Sequence, residues 1–472
     1  MSELPKGWAV SRLAGVAEVR LGRQRSPKTA TGERMRPYLR AGNVKWEGLD
    51  LSDVKEMAFT SAESETYELR PGDLLLGEAS GSPSEVGKPG QYRGEIIGCC
   101  FQNTLLRVRF PDGLHPDFYE HFFREQALNG SFAAGSRGVG IHHLGAAALS
   151  DWEIPVAPRA EQVRIISAIE EAFSKLAAGE AGLRIARQLL KRMREAVLAA
   201  AVTGRLVPQD PTDTPATKLL ADLDDEPETR LPRSWVRARL TQVAEVRLGR
   251  QRSPERATGP RMRPYLRAAN VGWNGLRLDD VKVMSFTESE SETFELLPGD
   301  LLLSEASGSP GEVGKPAQYR GQIPGCCFQN TLIRVRLRGE LSPDFFEHVF
   351  RNEARRGRFA DGSRGVGIHH LGQKALADWI VPVPPPGEQR RIAAELDRQF
   401  SFIEACERAV DTGLARSAAL RRSVLKAAFE GRLVPQDPSD EPASVMLERI
   451  RAERAMSVGS SGGRRRNKVE AS

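Results

Sequence analysis

The chain is written twice. Ala17-Glu-Val-Arg-Leu-Gly-Arg-Gln-Arg-Ser-Pro27 returns as Ala244 to Pro254, Met35-Arg-Pro-Tyr-Leu-Arg-Ala41 as Met262 to Ala268, and Cys99-Cys-Phe-Gln-Asn-Thr104 as Cys326 to Thr331. Gly135-Ser-Arg-Gly-Val-Gly-Ile-His-His-Leu-Gly145 returns at Gly362 to Gly372, and Gly204-Arg-Leu-Val-Pro-Gln-Asp-Pro211 at Gly431 to Pro438. The offset is 227 throughout, so the halves align without a gap. A period this long is no solenoid; it is a duplicated unit that is itself built from parts.

Residues 1–157 hold short apolar runs bounded by Gly and Pro, such as Asp73-Leu-Leu-Leu76 and Thr104-Leu-Leu-Arg-Val-Arg109, which read as strands. Pro116 to Phe123 reads as a short helix, giving an α+β domain. From 158 to 207 the pattern turns helical. Ile169, Leu176, Leu183, Leu190 and Val197 recur every seven residues, with Ala172, Gly179, Ala186, Met193 and Ala200 as a second line. That is a coiled-coil seam, in a helix about 65 Å long at 1.5 Å per residue. The second copy keeps the plan, with a domain over 231–384 and a helix over 385–434 carrying Leu396, Ile403, Val410 and Val424. Residues 208–230 are rich in Pro and acids and read as a linker, and 435–472 as an extension ending in a flexible basic tail. The two helices agree at only 13 of 43 positions, whereas Glu95–Arg109 agrees with Gln322–Arg336 at 12 of 15. Either helix seams simply tolerate apolar exchange, or the two helices pack together and need unlike faces.

No apolar run approaches the ~20 residues that span a bilayer, and the first residues lack a signal-peptide core, so a cytoplasmic, membrane-free protein is expected. The adjacent pairs Cys99-Cys100 and Cys326-Cys327 alternate faces on a strand, which suits buried thiols and not a metal site. Gly81 to Lys88 resembles a phosphate loop but has one residue too many between its glycines, and Pro89 stands where a magnesium-binding hydroxyl is needed. There is no Asn-Pro-Pro-aromatic tetrad and no His-Glu-x-x-His, so no catalytic residue, cofactor site or metal site is assigned.

The net charge is +6, and its distribution is more telling than its sum. Arg20, Arg23, Arg25, Arg36 and Arg40, with Lys28 and Arg34, face one acid, Glu33; Arg247, Arg250, Arg252, Arg263 and Arg267 repeat the cluster. Arginine forks suit phosphate oxygens and the guanine edge. Gln24, Asn43, Gln102 and Asn103, with Gln251, Asn270, Gln329 and Asn330, carry amides that pair with adenine. Lys88 and Lys315, Arg137 and Arg364 in the Gly-rich loops, and His142, His143, His369 and His370 complete the DNA-binding candidates. Any one of them alone would pass for a solvated side chain; their persistence in both copies singles them out.

Leu4-Pro-Lys-Gly-Trp8 and Leu231-Pro-Arg-Ser-Trp235 open the halves, and Pro71-Gly-Asp-Leu-Leu75 and Pro298-Gly-Asp-Leu-Leu302 lie within them. Pro158-Arg-Ala-Glu-Gln-Val-Arg-Ile165 and Pro385-Pro-Gly-Glu-Gln-Arg-Arg-Ile392 begin the helices, and Ala199 to Val207 and Lys426 to Val434 end them. In this doubled order, over residues 4–450, the chain resembles the specificity subunit of type I restriction–modification systems. The resemblance implies two target-recognition domains reading a bipartite site in double-stranded DNA, joined by an antiparallel coiled coil with a pseudo-two-fold axis. It implies two methyltransferase subunits as partners, which carry S-adenosylmethionine, and a translocating restriction subunit as a further partner.

One departure matters. In that family the recognition domains usually differ and the helical regions are alike; here the reverse holds. Like domains on a two-fold read like sequences on opposite strands, so inverted, nearly identical half-sites are expected. Lys45 against Gly272, Glu47 against Asn274, Gly77 against Ser304 and Glu95 against Gln322 are the differences that would relax this. A self-contained DNA-modifying enzyme and a protein-only scaffold are the competing readings.

Overall fold

The computed structural model describes residues 4–26, 31–134, 140–218, 231–253, 255, 257–361 and 367–466, with backbone alone from 457 onward. It is α+β and forms two compact units, Met1–Leu183 with Thr412–Ser472, and Arg184–Asp411. Each unit takes one globular part together with a stretch of both long helices, because each helix gives one half of its apolar face to each unit.

In the first unit a four-stranded antiparallel sheet runs in the order Glu18–Leu21, Leu105–Arg109, Leu74–Gly77, Pro89–Gln91. Leu74, Leu76, Leu106 and Val108 are fully buried beneath the helix Pro116–Leu128, whose Phe118, Tyr119 and Phe123 fill the core. A second sheet has Met35–Leu39 at its centre, parallel to Cys100–Phe101 and antiparallel to Lys55–Ala58. A small core of Tyr38, Met57, Phe59 and Cys100 holds it. The second unit repeats both sheets, register for register.

The long helices are Arg159–Ala201 and Pro386–Phe429. Within the first unit, Ile165 and Ile169 share a core with Leu425, Ala428 and Phe429, while Glu180 meets Ser417 and Arg421. Within the second, Val197, Leu198 and Ala201 share a core with Ile392, Leu396 and Ile403, and Arg194 meets Glu404 and Glu407. In each unit the paired stretches therefore run antiparallel. Ile169, Val197, Leu396, Ile403 and Val410 are buried, and Leu176, Leu183, Leu190 and Val424 are half-buried. Of the second line of the seam, Ala172, Ala186 and Ala200 are half-buried and Gly179 and Met193 exposed, and one position on, Phe173, Glu180, Arg194 and Ala201 turn inward as well. A search for apolar residues passes over this line because it is half polar. It is nevertheless duplicated: Glu180 accepts from Arg421 at 3.2 Å and Glu407 from Arg194 at 3.2 Å, each arginine lying over a phenylalanine, Phe173 or Phe400.

The doubled sequence motifs are fasteners. Glu388 accepts hydrogen bonds from the Trp235 indole (2.9 Å) and from Gln209 (2.5 Å), and Arg391 pairs with Asp213 at 2.7 Å. Gln436 bonds Glu161 and Arg164 pairs with Asp440 in the other unit. Residues 208–218 are consequently no free linker. Ala216 is fully buried and donates to the Ser234 carbonyl. The tail is corrected more sharply. Ala443–Arg466 is a helix, because Ala443, Met446, Leu447 and Ile450 fall on one face and are buried in the first unit's core. Ala443 donates to the Gly7 carbonyl, as Ala216 does to Ser234.

Candidate nucleic-acid interface

The basic segments meet the Gln-Asn turns where two chain stretches cross. Arg23 and Gln102 form an isolated parallel bridge, and Arg250 and Gln329 repeat it. Gly22 makes the crossing possible, since a Cβ there would stand 2.2 Å from the Gln102 carbonyl oxygen. Beside the crossing, Arg25, Tyr38, Arg40, Ala41, Gly42, Lys55, Glu56, Gln102 and Thr104 line a cleft of about 630 Å³. Arg25 is exposed and makes no ion pair among the described residues. Arg40 and Lys55 both reach Asp53, at 2.6 and 2.5 Å, and stay partly exposed. The cleft is therefore cationic, with a half-buried amide at Gln102, a combination suited to a phosphate backbone and a base edge.

Several candidates are withdrawn from this role. Asn43 is 2% exposed; its side chain accepts from the Arg40 amide and donates to the carbonyls of Asp50 and Asp53. Asn270 does the same in the second copy. Arg23 donates to Glu63 at 2.7 Å and lies over the Phe59 ring, and Arg250 likewise with Glu290 and Phe286. Lys88 pairs with Glu85 above Trp46, as Lys315 does with Glu312 above Trp273. These side chains are spent on the fold.

Others lie outside the cleft with part of the group still exposed. Arg20 pairs with Glu18 and Arg247 with Glu245; Arg36 pairs with Glu68 and Arg263 with Glu295. His142 and His143 form a strand pair with Ala79 and Ser80, where His143 faces Glu78 at 3.2 Å; His369 and His370 repeat this beside Glu305. Gln24 and Gln251 are exposed, and Asn103 and Asn330 half-buried; Arg252, also exposed, keeps the place of Arg25. Arg267 keeps the place of Arg40, bonded to Asp280. Arg137 and Arg364 lie outside the described residues.

Sequence reasoning missed Lys55, Glu56, Tyr38 and Thr104, and in the second copy Lys282, Val283, Tyr265 and Thr331. The pairing of Met35–Leu39 with Lys55–Ala58 brings Lys55 and Glu56 beside the arginines, and Thr104 sits there by accepting from the Ala41 amide; no local motif announces either. Of the differences expected to separate the two readers, Gly77 and Ser304 are buried in the four-stranded sheets. Glu95 and Gln322 both accept from a backbone amide in one turn, at 2.9 and 2.8 Å. Among the described residues no three or more His, Cys, Asp or Glu are grouped to hold a metal, and burial pushes the thiols of Cys99, Cys100, Cys326 and Cys327 up to about 12. Nor is any described helix long and apolar enough to cross a membrane.

No protein-family model matches the chain. Among curated proteins it is 26% identical to the type I restriction enzyme EcoKI specificity subunit of Escherichia coli K12, over 98% of this chain and 99% of that one. It is 25% identical to the StySPI specificity subunit of Salmonella potsdam, again over 98% and 99%. The chain is a homologue of type I restriction enzyme specificity subunits. Solved structures share the fold of this chain. A chain from a structural account of type I restriction–modification complex assembly superposes with a TM-score of 0.68 at 19% identity, covering 92% of this chain and all of that one. The HsdS subunit of Thermoanaerobacter tengcongensis gives 0.57 at 21%, covering 91% and 98%. Relatives of this kind are the specificity components of multi-subunit restriction enzymes, in agreement with a chain to which no catalytic residue is assigned.

Proposed function

We propose that this chain reads a bipartite DNA target for a type I restriction–modification complex and carries the methyltransferase subunits to it. The carrying observation is the cationic cleft of the first copy, where exposed Arg25 and Lys55 meet half-buried Arg40 and Gln102, together with the recurrence of the same residue types in the second copy at Arg252, Lys282, Arg267 and Gln329. Each recognition domain reads one half-site. The two long helices act as an antiparallel coiled coil that fixes the distance between half-sites, and the half-sites are inverted and nearly identical. Two methyltransferase subunits bring S-adenosylmethionine and the methylation chemistry, and a restriction translocase joins them. Exposed apolar residues on the helices support a docking role: Ile185, Leu189 and Met193 are 58, 56 and 39% exposed at four-residue spacing, and Phe402 is 58% exposed.

The test is the adenine methylome of a host with and without this gene. Loss of one bipartite motif with inverted half-sites is the expected result, and loss of two unrelated half-sites would sink the duplicated-reader argument. Binding of the assembled complex to that DNA should weaken steeply with salt, because phosphate contacts release counterions. A salt-independent complex would favour a protein-only scaffold.

A further inference from the structure

Seven of the nine residues lining the cleft recur unchanged in the second copy. The exceptions are Gly42 against Ala269 and Glu56 against Val283. The first adds a methyl and no hydrogen-bonding group. The second exchanges a carboxylate for hydrocarbon at one point of an otherwise constant surface.

Both side chains stand on an edge strand, Lys55–Ala58 or Lys282–Ser285, and both are exposed, Val283 by 56%. Glu56 has no ion pair or hydrogen bond among the described residues, although Arg25, Arg40 and Lys55 line the same cleft. Arg40 and Lys55 turn to Asp53 instead. A free carboxylate beside cations that seat phosphates repels the backbone it would meet. Facing a base edge it accepts from a donor, and the donors of the major groove are the exocyclic amines of cytosine and adenine, of which carboxylates pair with cytosine N4. An exposed branched apolar group on the same surface fits the thymine methyl.

We propose that Glu56 and Val283 are specificity-determining residues: Glu56 reads a cytosine in one half-site, and Val283 reads a thymine at the matching position of the other. The half-sites are then inverted copies that differ at this base. The inference rests on the DNA-recognition reading above.

The chain would be expressed with its methyltransferase subunits in a host free of other adenine methylation, and the methylated motif mapped genome-wide. The wild type should mark a motif with cytosine in one half and thymine at the matching position of the other. Glu56→Val should turn that cytosine to thymine and make the motif symmetric, with spacer and remaining bases unchanged. Val283→Glu should make it symmetric in the opposite sense. Wild-type half-sites alike at every position, or an unaltered motif in either variant, overturn the proposal. If Glu56→Val marks nothing, Val283→Glu decides by the same criterion. A wild type that marks no bipartite motif overturns the DNA-recognition reading itself, which is a separate and recognisable failure.

Discussion

Replacing Asn43 by alanine removes three hydrogen bonds at once from a site only 2% exposed. At about 1 kcal/mol net for each bond, the first unit should lose about 3 kcal/mol, read as a lower denaturant midpoint. The methylated motif should stay as it is. A changed base preference with undiminished stability would return Asn43 to the reading face. The amide types around the crossing were legible in the sequence, but their employment was not. Asn43 is held by backbone carbonyls 7 and 10 residues on, and Arg23 by a carboxylate 40 residues away. Nothing in a local window distinguishes such an arginine from Arg25, which stays exposed.

At the scale of elements, the helix starts carry a buried carboxylate. Burial pushes Glu388 above its ordinary 4.5, and the hydrogen bonds from Trp235 and Gln209 only partly offset this. A raised pKa means that the fold holds the proton more tightly than the unfolded chain does. The stability due to this group is therefore present below 4.5 and is lost as pH rises through the raised value. Glu388→Gln should flatten the fall of unfolding temperature with pH across that window, and equal slopes in variant and wild type would refute the assignment. The C-terminal helix offers a second test. Ile450 is 2% exposed in the first unit's core, so Ile450→Ala should cost about 2–5 kcal/mol in a denaturation experiment; no loss would mean that the helix is not docked. The long helices were legible because heptads are local. The C-terminal helix is masked in the sequence by Gly, Ser and Arg near the end, residues typical of a loop, although Ala443, Met446, Leu447 and Ile450 stand at helix-face spacing. The polar line of Glu180 and Arg194 could have been found by asking which helix residues survive the drift between copies, since Phe173, Glu180 and Arg194 all do.

At the scale of the molecule, the repeat told how many parts there are but not which residues finish each part. The unit Arg184–Asp411 is one unbroken stretch, whereas the unit that begins the chain is closed by Leu425, Phe429, Met446 and Ile450 from its far end. A ribosome delivers these in order. The later unit can fold as soon as its last residue clears the exit tunnel, while the earlier one must wait for residues 412–456, some seconds more at about 5–20 residues per second. Nascent chains arrested near residue 440 should show a protease-resistant second recognition domain and a cleavable first one, with resistance of the first appearing only on release; equal resistance of both at that length would refute this order. What is translated first is completed last, and for that interval the nascent protein exposes Phe118, Phe122 and Ile165 to whatever chaperone meets it.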